Sequence, residues 1–454
     1  MVVGARHEDS NATTINGDET NNDATNSGAA YVYVKSGGVW APEAYLKASN
    51  ADAGDRFGIN DVTISDDGNT IAIGTGNEDS NVTGVSTTAS SDNTGTSSGA
   101  VYIFSRTGSS WTQEAYIKAT NTGISDRFAN VTLDLSNDGN TLVVGAGSED
   151  SDATTVNGDQ FNDLSSNSGA VYVYNRSGST WSSTAYLKAV NNGSSDTFGS
   201  DVVISGDGTT IAVAAENEGS NATTINGDGS NDLNNTSGAA YIFTLSGGVW
   251  SQEAYIKASN NDASDFFGTA LDLSNDGNVL VVSALREDST ATGVSTTASA
   301  DNSGDETGAV YAFSRSGSTW TQDAYIKAPN PNDYDKFGDQ LALSADGNVL
   351  AISTWGEDSN AQTINGDQSD NTASDSGAVY IYTRGGTVWA YQSYIKASNA
   401  DSFDSLEYVS LNSDGTTLAA GSHFEQSNAT GVTTASADNS LFAPGAVYIF
   451  NITF

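Results

Sequence analysis

SGAVYVYNRSGSTWSSTAYLKA, running from Ser168 to Ala189, is the stretch that decides the fold. It reads as a strand, GAVYVY, a polar turn, and a second strand that ends in AYLKA. Alternating apolar residues and a Gly-containing turn between two β-rich runs are the signature of antiparallel strands. Nearly the same words return at Ser98, Ser237, Thr307 and Ser376, and the lysine returns with them.

Working outward, tryptophans fall at Trp40, Trp111, Trp181, Trp250, Trp320 and Trp389, spaced 69 to 71 residues apart. One period, from Arg56 to Ala119, holds four strand-like pieces: FGINDVTIS, TIAIG, GAVYIF and WTQEAYIKA. A DDGN turn joins the first two, and a long polar loop separates the second from the third. Four short antiparallel strands repeated at a fixed period make a propeller blade, whereas solenoid repeats are shorter, ~20 to 50 residues. The expectation is an all-β, seven-bladed β-propeller of four-stranded antiparallel blades with incomplete terminal blades. It forms one domain over residues 1–454, with units at about 1–55, 56–126, 127–196, 197–265, 266–335, 336–404 and 405–454. First and fourth strands number six each against seven second and third strands. On that count an upstream segment of roughly 30 residues is expected to complete the repeat. An open seam would favour strand exchange or self-association.

Composition narrows the function. Acidic residues number 56 against 16 basic ones, a formal charge of −40. Phosphate backbones would be repelled, so nucleic acid is excluded as a partner. No apolar run approaches the ~18 residues of a membrane span, which excludes membrane insertion by a helix. With no cysteine, disulfides and thiol chemistry are excluded as well.

The order FG, then AIG or VVGA, then GAVYVY resembles the FG-GAP repeats of integrin α-subunit propellers. The fuller unit, with WTQEAYIKASN and DGNTLVVGAGSEDS, resembles FG-GAP-like repeat proteins of bacterial secretions and surfaces. That resemblance implies a secreted or cell-surface location and a binding or adhesion role. The integrin calcium loop lies between first and second strands. Here that joint is a short Ser-x-Asp-Gly turn (Ser65–Gly68, Ser136–Gly139, Ser274–Gly277), so the integrin metal assignment does not carry over.

Two loop positions repeat their chemistry. After the fourth strand come Lys47, Asn50, Asp52 and Asp55; Lys118, Asn121 and Asp126; Lys188, Asn191 and Asp196; Lys257, Asn260, Asp262 and Asp265; Lys327, Asn330 and Asp335; and Lys396, Asn399 and Asp404. After the second strand comes Glu-Asp-Ser, with Asp79, Asp150, Asp288 and Asp358, weakened at Glu218 and Glu425. The structural reading is a joint that ties blades together, the six lysines and the six tryptophans being structural and the Asn and Asp side chains capping turns. The sharper reading makes the Asn and Asp residues oxygen ligands for Ca2+. The long loops after the second strand come in two spellings, ATTINGD…ND and ATGVSTTASADN. Their Asn-Gly-Asp triplets (Asn16–Asp18, Asn157–Asp159, Asn226–Asp228, Asn365–Asp367) add candidate oxygens.

His7 and His423 occupy equivalent places in the first and last units, and nothing singles out a catalytic set. The expected function is therefore non-enzymatic: an extracellular module presenting acidic, Ca2+-stabilised loops to a protein or glycan. The alternative is a rigid spacer in a larger surface adhesin, and a propeller hydrolase or lyase ranks below both.

Overall fold

The computed structural model of the chain describes every residue except 60–61, 131, 435–437 and 442. The first-strand reading over Phe57–Ser65 and the last copy of the ATGVSTTASADN loop therefore lie partly outside the described residues. The chain divides into two compact units, Met1–Ala215 with Phe243–Gln252, and Glu216–Ile242 with Glu253–Phe454.

Among the described residues there is no helix. Seven antiparallel sheets follow one another along the sequence, the blades of an all-β propeller fold. The third is representative, with strands Leu133–Leu135, Thr141–Ala146, Ala170–Ser177 and Thr180–Leu187 side by side in that order. Its first turn is closed by Gly139 at φ +65° and by Ser136 Oγ, which donates to Asp138 Oδ1 at 2.7 Å. Tyr172 faces Tyr186 across the third and fourth strands, with ring centroids 5.3 Å apart. The first and last sheets have three strands each: Val2–Ala5, Ala29–Ser36 and Val39–Leu46, then Leu406–Leu411, Thr417–Ser422 and Ala446–Asn451.

The two loop spellings do the same job by different means. Val85–Ser86 and Val294–Ser295, from the ATGVS spelling, form two-residue strands against the fourth strands of their sheets. In the other spelling, the Asn of Asn-Gly-Asp replaces that strand. Asn157 donates its backbone N–H to Tyr186 O at 2.7 Å and accepts Tyr186 N–H on its own Oδ1 at 2.9 Å. Asn16, Asn226 and Asn365 do so to Tyr45, Tyr255 and Tyr394. Either device satisfies backbone groups on an outer strand that would otherwise recruit another chain.

Between sheets, apolar residues of one pack on the next. Val101, Ile103 and Ile117 share a core with Phe128, Leu142, Val144, Tyr172 and Trp181. A polar clasp closes the outer edge of this joint. Glu114, on the fourth strand of the second sheet, accepts the Trp181 indole N–H at 2.9 Å and pairs with Arg176, whose guanidinium lies 5.9 Å from the Trp181 ring. Glu43 with Arg106 and Trp111, and Glu253 with Arg315 and Trp320, repeat it. At the fourth sheet both charges are absent together, Thr184 and Leu245 standing in their places.

The glycine of each SGA triplet is required twice over. Gly169 has φ +81°, and a Cβ there would sit 2.0 Å from the Phe198 carbonyl oxygen, the start of the next unit. Gly99 meets Phe128, and Gly238 meets Phe267, in the same way. The Phe of FG and the Gly of SGA are thus two halves of one backbone contact. Gly178 offers a control, since it is also left-handed (φ +64°) but has nothing within 4 Å. Urea unfolding is expected to show Gly178→Ala costing about 1 kcal/mol and Gly169→Ala clearly more, about 2 kcal/mol or above. Equal losses would mean the backbone contact adds nothing.

Candidate functional site

The repeating loop residues build one joint many times. Ser168 and Lys188, the two ends of the stretch that decides the fold, meet: Lys188 Nζ donates to Ser168 Oγ at 2.8 Å, Gly169 O at 2.6 Å and Glu149 Oε2 at 3.1 Å. Lys47, Lys118, Lys257, Lys327 and Lys396 are likewise at most 1% exposed, and each pairs with the glutamate of its own sheet, Glu8, Glu78, Glu218, Glu287 and Glu357. Burial lowers the lysine pKa values, and the paired glutamate opposes that shift. The second glutamate oxygen is also used: Glu149 Oε1 accepts Tyr186 OH at 2.9 Å and Asn121 Nδ2 at 3.0 Å.

Asn121 belongs to the preceding unit, so this contact crosses from one sheet to the next. Its Oδ1 in turn accepts the Tyr172 hydroxyl. Asn50, Asn260 and Asn399 bridge to Glu78, Glu287 and Glu425 and accept Tyr102, Tyr311 and Tyr448. Asn330 accepts Tyr380 but donates to Gln368 O.

The acidic residues of these loops are held as backbone acceptors. Asp55, Asp126, Asp196, Asp265, Asp335 and Asp404 each accept the N–H three residues earlier at 2.8–3.0 Å. Asp79, Asp150, Asp288 and Asp358 accept N–H groups from the far end of the long loop at 2.7–2.8 Å. Asp52 and Asp262 take the side-chain amides of Asn93 and Asn302. In the triplets, Asp159 Oδ1 accepts Phe161 N–H. Calcium needs several oxygens turned to one point. Among the described residues no group of three or more His, Cys, Asp or Glu side chains is placed to hold a metal ion.

The joint has an electrostatic cost. Burial, with nearby acids such as Glu357, pushes Asp335 up to about 8 and Asp265 up to about 8, while Asp126 rises to about 7. The Asp335 Oδ1 is buried without a partner.

What does not repeat is more informative. Eleven of the 16 basic residues stand at the buried lysine position or, as Lys35, Arg106, Arg176, Arg315 and Arg384, on the third strand. The others, Arg6, Arg56, Arg127, Arg286 and Lys336, all stand beside the end of a second strand or just before the residue that opens the next unit. The seventh tryptophan, Trp355, joins them, at the position that Gly76 and Gly147 hold in other sheets.

In the second compact unit these departures gather. Lys336, at φ +58°, lies 4.6 Å from the Trp355 ring centre and 3.3 Å from Glu306, which also meets Arg286 at 3.4 Å. Asp339 follows three residues later. Burial and the charge of Glu407 raise its carboxyl to about 7, and Lys336 opposes the rise. Glu407 replaces the glycine of FG and sits where the pairing register slips between Leu406 and Tyr408, a bulge that re-aims a side chain. His423 Nδ1 lies 2.8 Å from Glu407 Oε1, an ion-pair contact off the line of a good hydrogen bond. The register also corrects the histidines: Ala5 and Ser422 are equivalent, so His423 matches Arg6 rather than His7. Sequence reading missed this set because it looked for repetition. Subtracting the repeat would have found it.

The comparisons with known proteins follow this geometry. Residues 250–313 match the FG-GAP repeat. Since the same unit recurs along the sequence and builds seven sheets, the chain is an FG-GAP repeat β-propeller. No curated protein matches its sequence. Among solved structures it is similar to the periplasmic gluconolactonase of Pseudomonas aeruginosa, at 13% identity and TM-score 0.47, over 93% of this chain and 95% of that one. It is also similar to a "putative 6-phosphogluconolactonase" from Bacteroides uniformis, at 11% identity and TM-score 0.38, over 82% and 92%.

The expectation of a non-enzymatic adhesion module is corrected. Both of these structures carry enzyme names. The physical reason lies in the loops. Those expected to present acidic ligands to a partner are consumed by their own sheet edges and turns, and acid–base side chains gather elsewhere.

Two outcomes follow. Lys188→Ala leaves Glu149 buried and unpaired, and urea unfolding is expected to show a loss of about 3–5 kcal/mol. For Asp335 the folded pKa of about 8 exceeds the ordinary carboxylate value of about 3.9, so the folded state holds the proton longer than the unfolded state. Stability from this group is then lost as pH rises from about 4 to about 8. Asp335→Asn should flatten the fall of Tm across that window and raise Tm at pH 8. An unchanged slope would contradict the assignment.

Proposed function

We propose that the chain is a hydrolase of small esters, lactones included, with its acid–base centre at Asp339 and the Glu407–His423 pair. The observation that carries this reading is the gathering, in one compact unit, of titratable side chains that break the repeat. Asp339 is raised to about 7, within the range where a carboxylate exchanges protons at working pH. As water attacks the carbonyl carbon, Asp339 accepts its proton. The ester C–O bond breaks, and the leaving oxygen takes a proton from the His423 side, which the proton on Asp339 restores through water. Lys336 offers positive charge to the carbonyl oxygen. The Trp355 face and the Arg286 guanidinium favour a ring-bearing, negatively charged substrate. The resemblance to secreted FG-GAP-like proteins favours a location outside the cytoplasm, and no helix among the described residues is long and apolar enough to cross a membrane.

The test is hydrolysis of glucono-δ-lactone and p-nitrophenyl acetate, followed by pH-stat and absorbance. We expect kcat/KM to rise through about pH 7, as Asp339 ionises. Asp339→Asn and His423→Ala should lower it about 10²- to 10⁴-fold with unchanged circular dichroism. Rates no higher than buffer, or an Asp339→Asn variant as active as the parent, would refute the proposal.

A further inference from the structure

One clasp in the second compact unit is built one methylene short. Where Glu43, Glu114 and Glu253 reach the next sheet, the joint between the fifth and sixth sheets has Asp323. Glu253 Oε1 accepts the Trp320 indole N–H at 3.0 Å, and its Oε2 accepts Arg315 Nη2 at 2.6 Å. Asp323 instead turns to its own sheet, accepting Ser314 Oγ at 2.9 Å on Oδ1. Its Oδ2 is buried and unpartnered, and so is Nε1 of Trp389, a residue only 3% exposed. Arg384 keeps its place 5.7 Å from the Trp389 ring, but among the described residues it forms no ion pair.

Space lies beside the shortened side chain. A half-open cleft of about 190 Å³ lies here, lined by buried Ala324 and Trp389, half-buried Asp323, and exposed Val294, Thr387 and Val388. Buried polar groups without partners are costly and uncommon in native proteins, and here a donor and an acceptor border the same space. The cleft's volume is several times the ~30 Å³ share of one water.

We infer that this cleft is a binding site for a small uncharged molecule carrying a hydroxyl or carboxamide on a short apolar body. The guest's oxygen accepts the Trp389 indole N–H and its O–H or N–H donates to Asp323 Oδ2. Val294, Ala324 and Val388 line the side of the cleft against which the apolar part lies. An anionic guest is disfavoured because the unpartnered Asp323 oxygen faces it. The site is independent of the acid–base centre at Asp339, so its test stands apart from the hydrolase reading.

The experiment is saturation-transfer NMR with isobutyramide, isobutanol and isobutyrate as probes on the full chain. Wild type should bind the amide and the alcohol and not the carboxylate. Asp323→Glu should restore the clasp, raise Tm and weaken binding about tenfold or more. Trp389→Phe, which keeps the ring and removes the N–H, should also weaken binding of the amide and the alcohol. Absence of binding to wild type, a preference for isobutyrate, or full affinity in both variants would each overturn the assignment.

Discussion

The buried lysine–glutamate pair is the constraint on which the rest of this structure depends. A lysine with 0–1% exposure is tolerable only if its three protons find acceptors and its charge a counter-charge. Lys188 finds a serine hydroxyl, a backbone carbonyl and Glu149, and the remaining oxygen of Glu149 needs Tyr186 from its own sheet and Asn121 from the unit before. Satisfying one lysine therefore fixes the third strand, the fourth strand, the start of the long loop and the neighbouring unit. That is why Ser, Glu, Tyr, Lys and Asn recur in step. A sheet taken alone would leave its glutamate short of a donor.

Much of this was legible in the sequence because repetition makes weak signals add. One GAVYVY run is ambiguous; seven at near-fixed spacing, six of them followed by a Gly turn, define strands, sheets and topology. The lysine's recurrence beside Glu-Asp-Ser pointed to a joint for the same reason. The loops were less legible. Asn157 reads as a turn residue or an oxygen donor, and nothing in Asn-Gly-Asp says that its side chain substitutes for a strand against Tyr186. That role depends on where the fourth strand's edge falls in space.

The acid–base centre was hidden by the same repetition. In the sequence Glu407 stands where the repeat has the glycine of FG, and Trp355 falls outside the register of the other six tryptophans. Residues the repeat demands serve the joint, and residues that depart from it at the two loop positions around Lys336 and His423 are free to serve chemistry. The backbone angle just before each FG belongs to the repeat and not to the departures. Arg56, Arg127, Thr197, Phe266, Lys336 and Ser405 all hold left-handed angles between +53° and +58°, a conformation that disfavours residues with a Cβ.

The division between joint and departure is tested most directly by giving the departures back to the repeat. A triple variant, Trp355→Gly, Lys336→Thr and Asp339→Ser, installs the residues that Gly147, Thr197 and Ser200 supply in the third and fourth units. Its urea unfolding midpoint is the measurement. The account predicts a midpoint equal to or above that of the parent, since nothing in the joint is touched and a half-buried carboxyl is removed. A midpoint lowered as far as by loss of a buried lysine would show that these residues hold the fold together, and would contradict it.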